Sequence, residues 1–173
     1  RLAEAKGAVE LLLADCYIRR DRVALLAFRD RAAELLLPPT RALARAKRCL
    51  AGLPGGGGTP LASGLDAALA LAEAVRRQGE IPVVVVLTDG SANIARDGTA
   101  GRSRAETDAL AAAAALRAAA LAALLVDTSP RPAARARQLA EALGGTYLPL
   151  PYADATTLSG IVQQAARAAA PAR

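Results

Sequence analysis

Two oxygen-bearing side chains stand out by where they fall. Thr59 follows four consecutive glycines in "GLPGGGGTPLASGLDAA" (52–68), and Asp89 closes the apolar run "PVVVVLTDG" (82–90). A hydroxyl and a carboxylate are hard oxygen donors, the kind that suit Mg²⁺, which asks for near-octahedral oxygens and keeps several of its waters. Ser91 and Asn93, just past Asp89, are candidates for supporting that pair from behind; the plain alternative is ordinary loop polarity. Asp127 ends a further apolar run, "AALLVDT", and either lines the same cleft or caps the turn into "TSPRP".

The glycines admit three readings. Gly52 to Thr59 fits the phosphate-loop spacing, but Gly58 stands where that loop needs its lysine and the run follows a helix rather than a strand. A flexible joint between two helices is a second possibility. The third is that glycines, free to adopt backbone angles closed to other residues, let the loop fold tightly and aim Thr59 into a cleft.

Elements that would position these residues alternate along the chain. Apolar positions at helical spacing over 2–16 lead into "RVALLAF" (22–28), a continuous apolar run of the kind buried on both faces of a sheet. "AELLLPP" follows, and its prolines suit only a sheet edge, so an antiparallel edge strand is expected at 33–37. Leu43, Ala46, Leu50 and Leu53 mark one helix face; Leu61, Leu65, Leu69, Ala72 and Val75 mark a longer one that Pro60 opens. After the strand ending at Asp89 come a polar loop over 91–104, an Ala-rich helix, the strand at "AALLVDT", a helix from about Pro132 to Gly144, the strand "TYLPL" and a closing helix from Asp154. Such alternation predicts one α/β domain over 1–173, a doubly wound, mostly parallel sheet with one antiparallel edge strand. A doubly wound sheet normally begins with a strand that feeds its first helix. The expectation is therefore an N-terminally truncated domain whose first central strand lies upstream of Arg1.

Composition excludes several classes. Lys and Arg number 22 against 16 Asp and Glu, a formal charge of +6, but one Phe and three Tyr are too few to stack single-stranded nucleic acid. The charge reads as a solvated Arg-rich surface, with Arg96 to Arg104 available to an acidic partner or simply to water. Arg117 interrupts the Ala-rich stretch, so no membrane span is expected. Cys16 and Cys49 sit in apolar patterns and read as core, in keeping with a reducing, cytoplasmic setting. With no histidine and no nucleophile beside a positioned base, the domain itself does not read as a catalyst.

"GGGGTPL" followed by "VVVLTDG" resembles the von Willebrand factor A (integrin I) domain, whose metal-ion-dependent adhesion site uses an Asp-x-Ser-x-Ser loop, a threonine and an aspartate. Thr59 matches that threonine and Asp89 that aspartate; the remaining ligands are expected upstream of Arg1. More narrowly, "LPGGGGTPLASGL", "LTDGSANI" and "ALGGTYLPLPYADATTL" are similar to the C-terminal domain of magnesium chelatase D subunits. That resemblance implies a metal-dependent protein-docking domain with Mg²⁺ as cofactor. Its implied partners are an ATP-hydrolysing AAA+ I subunit and, through the complex, the porphyrin-binding H subunit, in Mg²⁺ insertion into protoporphyrin IX for chlorophyll synthesis. The docking domain of a cobalt chelatase-like or other AAA+ associated assembly is the alternative, and a Mg²⁺-dependent phosphoryl-transfer enzyme a third reading that lacks a visible base.

Overall fold

The computed structural model describes residues 2–150 and 154–171. Among them six helices and five strands follow one another as α1 (Leu2–Ile18), β1 (Val23–Arg29), β2 (Ala32–Thr40), α2 (Leu43–Ala51), α3 (Leu61–Arg77), β3 (Val83–Thr88), α4 (Arg102–Ala118), β4 (Ala122–Asp127), α5 (Ala134–Leu143), β5 (Thr146–Pro149) and α6 (Ala155–Ala169). Strands β3, β4 and β5 form a parallel sheet in that order, with Thr88 beside Asp127 and Asp127 beside Pro149 at the carboxyl edge. Helices α4 and α5 make the crossovers between them, as parallel neighbours require.

Along β4 the apolar side chains alternate between two cores. Ala123 and Leu125 join Leu61, Leu65, Leu116, Leu139 and Leu143 beneath α3, α4 and α5. Leu124 and Val126 face the other way, with Ala8 of α1 and Leu158 of α6. A period of two with both faces covered is what makes the strand a continuous hydrophobic run. Helix α4 lies between α3 and α5. The alanines Ala105, Ala109, Ala112 and Ala113, none more than 3% exposed, keep that packing close.

β1 and β2 form a separate antiparallel hairpin, closed by Asp30 and Arg31 with Asp30 at φ 59°. The edge strand expected at 33–37 runs further, through Pro38 and Pro39 to Thr40. The prolines are tolerated because β2 has a single strand neighbour among the described residues, so their missing N–H groups interrupt no second ladder there. Leu13, Leu37, Ala46 and Leu50 pack α1 and α2 onto this hairpin. The parallel and antiparallel strands thus stand as two sheets rather than one. β1 and β3 each have one strand neighbour among the described residues, and both are half-buried over most of their length where β4 is buried from its second residue on. Cys16 is buried as expected and Cys49 half-buried. No helix among the described residues is long and apolar enough to cross a membrane.

Candidate metal and docking site

Asp89 leaves the end of β3 at the carboxyl edge of the parallel sheet, where open α/β sheets bind ligands. Its carboxylate is held locally: Oδ1 accepts from Ser91 N at 2.9 Å and from Ser91 Oγ at 2.5 Å. Oδ2 accepts no hydrogen bond among the described residues. Gly90 then turns at φ 78°, and a Cβ there would lie 2.5 Å from Ala136 N and 2.6 Å from Arg135 C. The chain can leave Asp89 only as glycine, flush against the start of α5.

Thr59 reaches the same loop from the other side. Thr59 N donates to Asn93 Oδ1 at 2.7 Å, and Thr59 O accepts from Asn93 N at 3.3 Å and Ile94 N at 3.4 Å. These three bonds tie Thr59 to the segment four residues past Asp89 and leave its hydroxyl without a hydrogen bond among the described residues. The glycines make the approach possible. Gly57, at φ 87°, has no room for a Cβ beside the Asp30 carboxylate; one on Gly58 would meet the Asp30 carbonyl and sit 2.7 Å from Ile94 Cγ1. Asp30 N donates to Gly58 O at 3.1 Å, completing the seam between the glycine run and the β1–β2 turn. Of the three readings of the glycines, close packing that presents Thr59 fits this geometry.

The rest of the loop is pinned by its own charges. Arg96 makes two bonds to Asp66 on α3, Nε to Oδ2 at 2.7 Å and Nη2 to Oδ1 at 3.1 Å, and its backbone N donates to Asp108 Oδ2 at 2.9 Å. Arg104 pairs with Asp97 at 3.0 Å, and the Thr99 hydroxyl hydrogen bond holds the Asp97 carboxyl below its ordinary range. Arg96 and Arg104 therefore have acidic partners within this chain. Their pairing was not legible in sequence, because Asp66 lies thirty residues before Arg96.

Asp127 is fully buried, and both of its oxygens are engaged. Oδ1 accepts from Ser129 N at 2.9 Å; Oδ2 accepts from Ala133 N at 2.9 Å and from Tyr147 Oη at 2.5 Å. Burial by itself raises the pKa of this carboxyl, but the bonds from Ala133, Ser129 and Tyr147 outweigh it and hold the group below the usual carboxylate range. The Tyr147 phenol is pushed up to about 12, by burial first and then by the carboxylate it donates to. Arg137 lies over the same ring, 4.6 Å from its centroid. Of its two readings, Asp127 thus caps the turn after β4, and it fixes the start of α5 against which Gly90 packs.

The von Willebrand factor type A domain model matches residues 1–91, a span that contains the glycine run, Thr59 and Asp89. The chain belongs to that family. The von Willebrand factor type A domain described here is 58% identical over 162 residues to the magnesium-chelatase 60 kDa subunit of Cereibacter sphaeroides, covering 94% of this chain and 29% of that protein. It is 47% identical over 168 residues to the magnesium-chelatase 60 kDa subunit of Rhodobacter capsulatus, covering 97% of this chain and 30% of that one. The chain spans less than a third of the length of these relatives. Among solved structures it resembles the SpRpn10 VWA domain, with a TM-score of 0.62 at 14% identity over 94% of this chain and 82% of the other, a likeness of fold.

The donor chemistry of this von Willebrand factor A domain fits a hard divalent cation in part. Asp89 Oδ2 and the Thr59 hydroxyl are oxygen donors on loops that Asn93 joins, each without a hydrogen bond among the described residues. No group of three or more His, Cys, Asp or Glu gathers among the described residues. A cation held by these two would keep much of its positive charge and most of its positions for water or other oxygens.

Proposed function

We propose that this domain is a metal-dependent protein-docking module of a magnesium chelatase subunit, acting in the cytoplasm. Thr59 Oγ1 and Asp89 Oδ2 hold Mg²⁺. The bound cation supplies an electropositive point and an exchangeable position for a carboxylate of a partner protein. Ser91 orients the Asp89 carboxylate, and Asn93 holds Thr59 to the loop that follows it. The partner is the ATP-hydrolysing AAA+ subunit of the complex. Through it the domain supports insertion of substrate Mg²⁺ into protoporphyrin IX, held by the porphyrin-binding subunit.

The observation that carries the reading is the triple backbone and side-chain link between Thr59 and the Asn93–Ile94 segment. It ties the Thr59 loop to the loop that begins at Asp89, about thirty residues further along the chain, at the ligand-binding edge of the sheet. Identity of 58% to a magnesium-chelatase subunit supports the assembly named. The test is a pull-down of the AAA+ subunit by the full-length parent subunit, with Mg²⁺ and with EDTA. Asp89→Ala should abolish the Mg²⁺-dependent fraction while the subunit stays folded by circular dichroism. Retention that EDTA and Asp89→Ala both leave unchanged would overturn the proposal.

A further inference from the structure

Beside the Asp89 loop an open groove of about 510 Å³ runs between the N-terminal parts of α4 and α5, with Gly90 in its wall. Its floor is apolar: Ala109 and Leu139 are 3% and 2% exposed, and Leu110 is half-buried. The rim is polar, with Arg102, Thr107, Arg135 and Gln138 all exposed. Arg135 pairs across it with Glu106 at 3.4 Å, while Arg102 has no carboxylate within ion-pair distance among the described residues. Gly101, before α4, has no capping side chain, so the positive end of that helix adds to the Arg102 charge, whereas the Asp127 carboxylate stands at the start of α5.

We propose that this groove is the second half of the docking surface and takes an acidic segment of the partner protein that also carries a large apolar side chain. The proposal rests on the docking reading above and adds the chemistry of the partner's flanking residues. The apolar side chain covers Leu110 and Leu139; the carboxylate meets Arg102. A polyphosphate or nucleic acid fits the same surface poorly, because Glu106 already takes Arg135, which leaves Arg102 as the one lining cation without a carboxylate partner among the described residues. A protein segment with one acidic group beside its apolar side chain matches Arg102 and needs no second cation.

The experiment compares Arg102→Glu, Thr107→Glu and, on the opposite face of the sheet, Arg167→Glu in the full-length subunit, by biolayer interferometry against the AAA+ subunit at low and high salt. Glutamate at the first position of α4 complements the helix dipole, so Arg102→Glu keeps the fold. Arg102→Glu and Thr107→Glu should each weaken association about tenfold at low salt and flatten its salt dependence, with Arg167→Glu unchanged. Equal affinity of Arg102→Glu and the native protein overturns the proposal, as does competition by inorganic phosphate at matched ionic strength. Asp89→Ala run in parallel separates the two readings. Loss with Asp89→Ala alone overturns the groove and leaves metal-dependent docking standing; loss with Arg102→Glu alone supports the groove and removes the metal.

Discussion

Asn93 and Thr59 grip one another from both sides: the Asn93 side-chain oxygen accepts from Thr59 N at 2.7 Å while Asn93 N donates to Thr59 O at 3.3 Å. The threonine is thereby part of the loop that Asp89 begins. Asn93→Asp keeps an acceptor for Thr59 N, whereas Asn93→Ala leaves that N–H to water. Because the site is exposed, Asn93→Ala should cost no more than about 1 kcal/mol in urea unfolding. Its larger effect should be on Mg²⁺ affinity, which Asn93→Asp retains.

Glycine substitutions should sort by space as well as by backbone angle. Gly56 and Gly90 both lie at positive φ, 88° and 78°, but a Cβ on Gly56 meets nothing within 4 Å while one on Gly90 meets the backbone of Arg135 and Ala136. Gly56→Ala should cost about 1 kcal/mol, the strain of a left-handed alanine. Gly90→Ala adds a clash that only movement of α5 relieves, and should cost roughly 2–4 kcal/mol in the same denaturation series.

Tyr147→Phe removes one of three donors from the buried Asp127 carboxylate and should destabilise by about 1–3 kcal/mol at neutral pH. The sign of its pH dependence follows from the two shifts. Asp127 has a folded pKa below its unfolded one, so its contribution is present above the unfolded value and is lost as pH falls through the folded one. The gap between native and variant should therefore narrow below about pH 4. At the alkaline end, Tyr147 titrates near 12 when folded, so its contribution is complete below about pH 10 and is lost between there and 12. Thermal melts across both ranges check the two limbs; a gap that stays constant with pH would show that the hydroxyl acts by packing alone.

What was legible in the sequence was mostly periodic. "VVVVLT" announced β3 and its carboxyl end, the Pro38–Pro39 pair announced an edge, and Asp154 announced the start of α6, where its side chain accepts from Thr157 N at 2.7 Å. The long loop, expected to run to about Arg104, ends at Gly101, and α4 begins at Arg102. Pairings across distance were not legible. Nothing in "TYLPL" marks Tyr147 as the donor to Asp127, and nothing in the glycine run marks Asp30 as the residue it must clear; both depend on which strands and turns become neighbours. The same gap separates Thr59 and Asp89, recognisable by type, from Asn93, whose tie to Thr59 depends on two loops becoming neighbours across thirty-four residues of chain.

Whether Thr59 and Asp89 hold a metal is read without any partner protein by calorimetry of Mg²⁺ into the nucleotide-free full-length subunit. The native protein should bind saturably and one-to-one, Asp89→Ala should lose that binding, and Thr59→Ala should weaken it less, since water replaces a neutral hydroxyl more readily than a carboxylate. An isotherm that Asp89→Ala leaves unchanged would contradict metal binding by this pair.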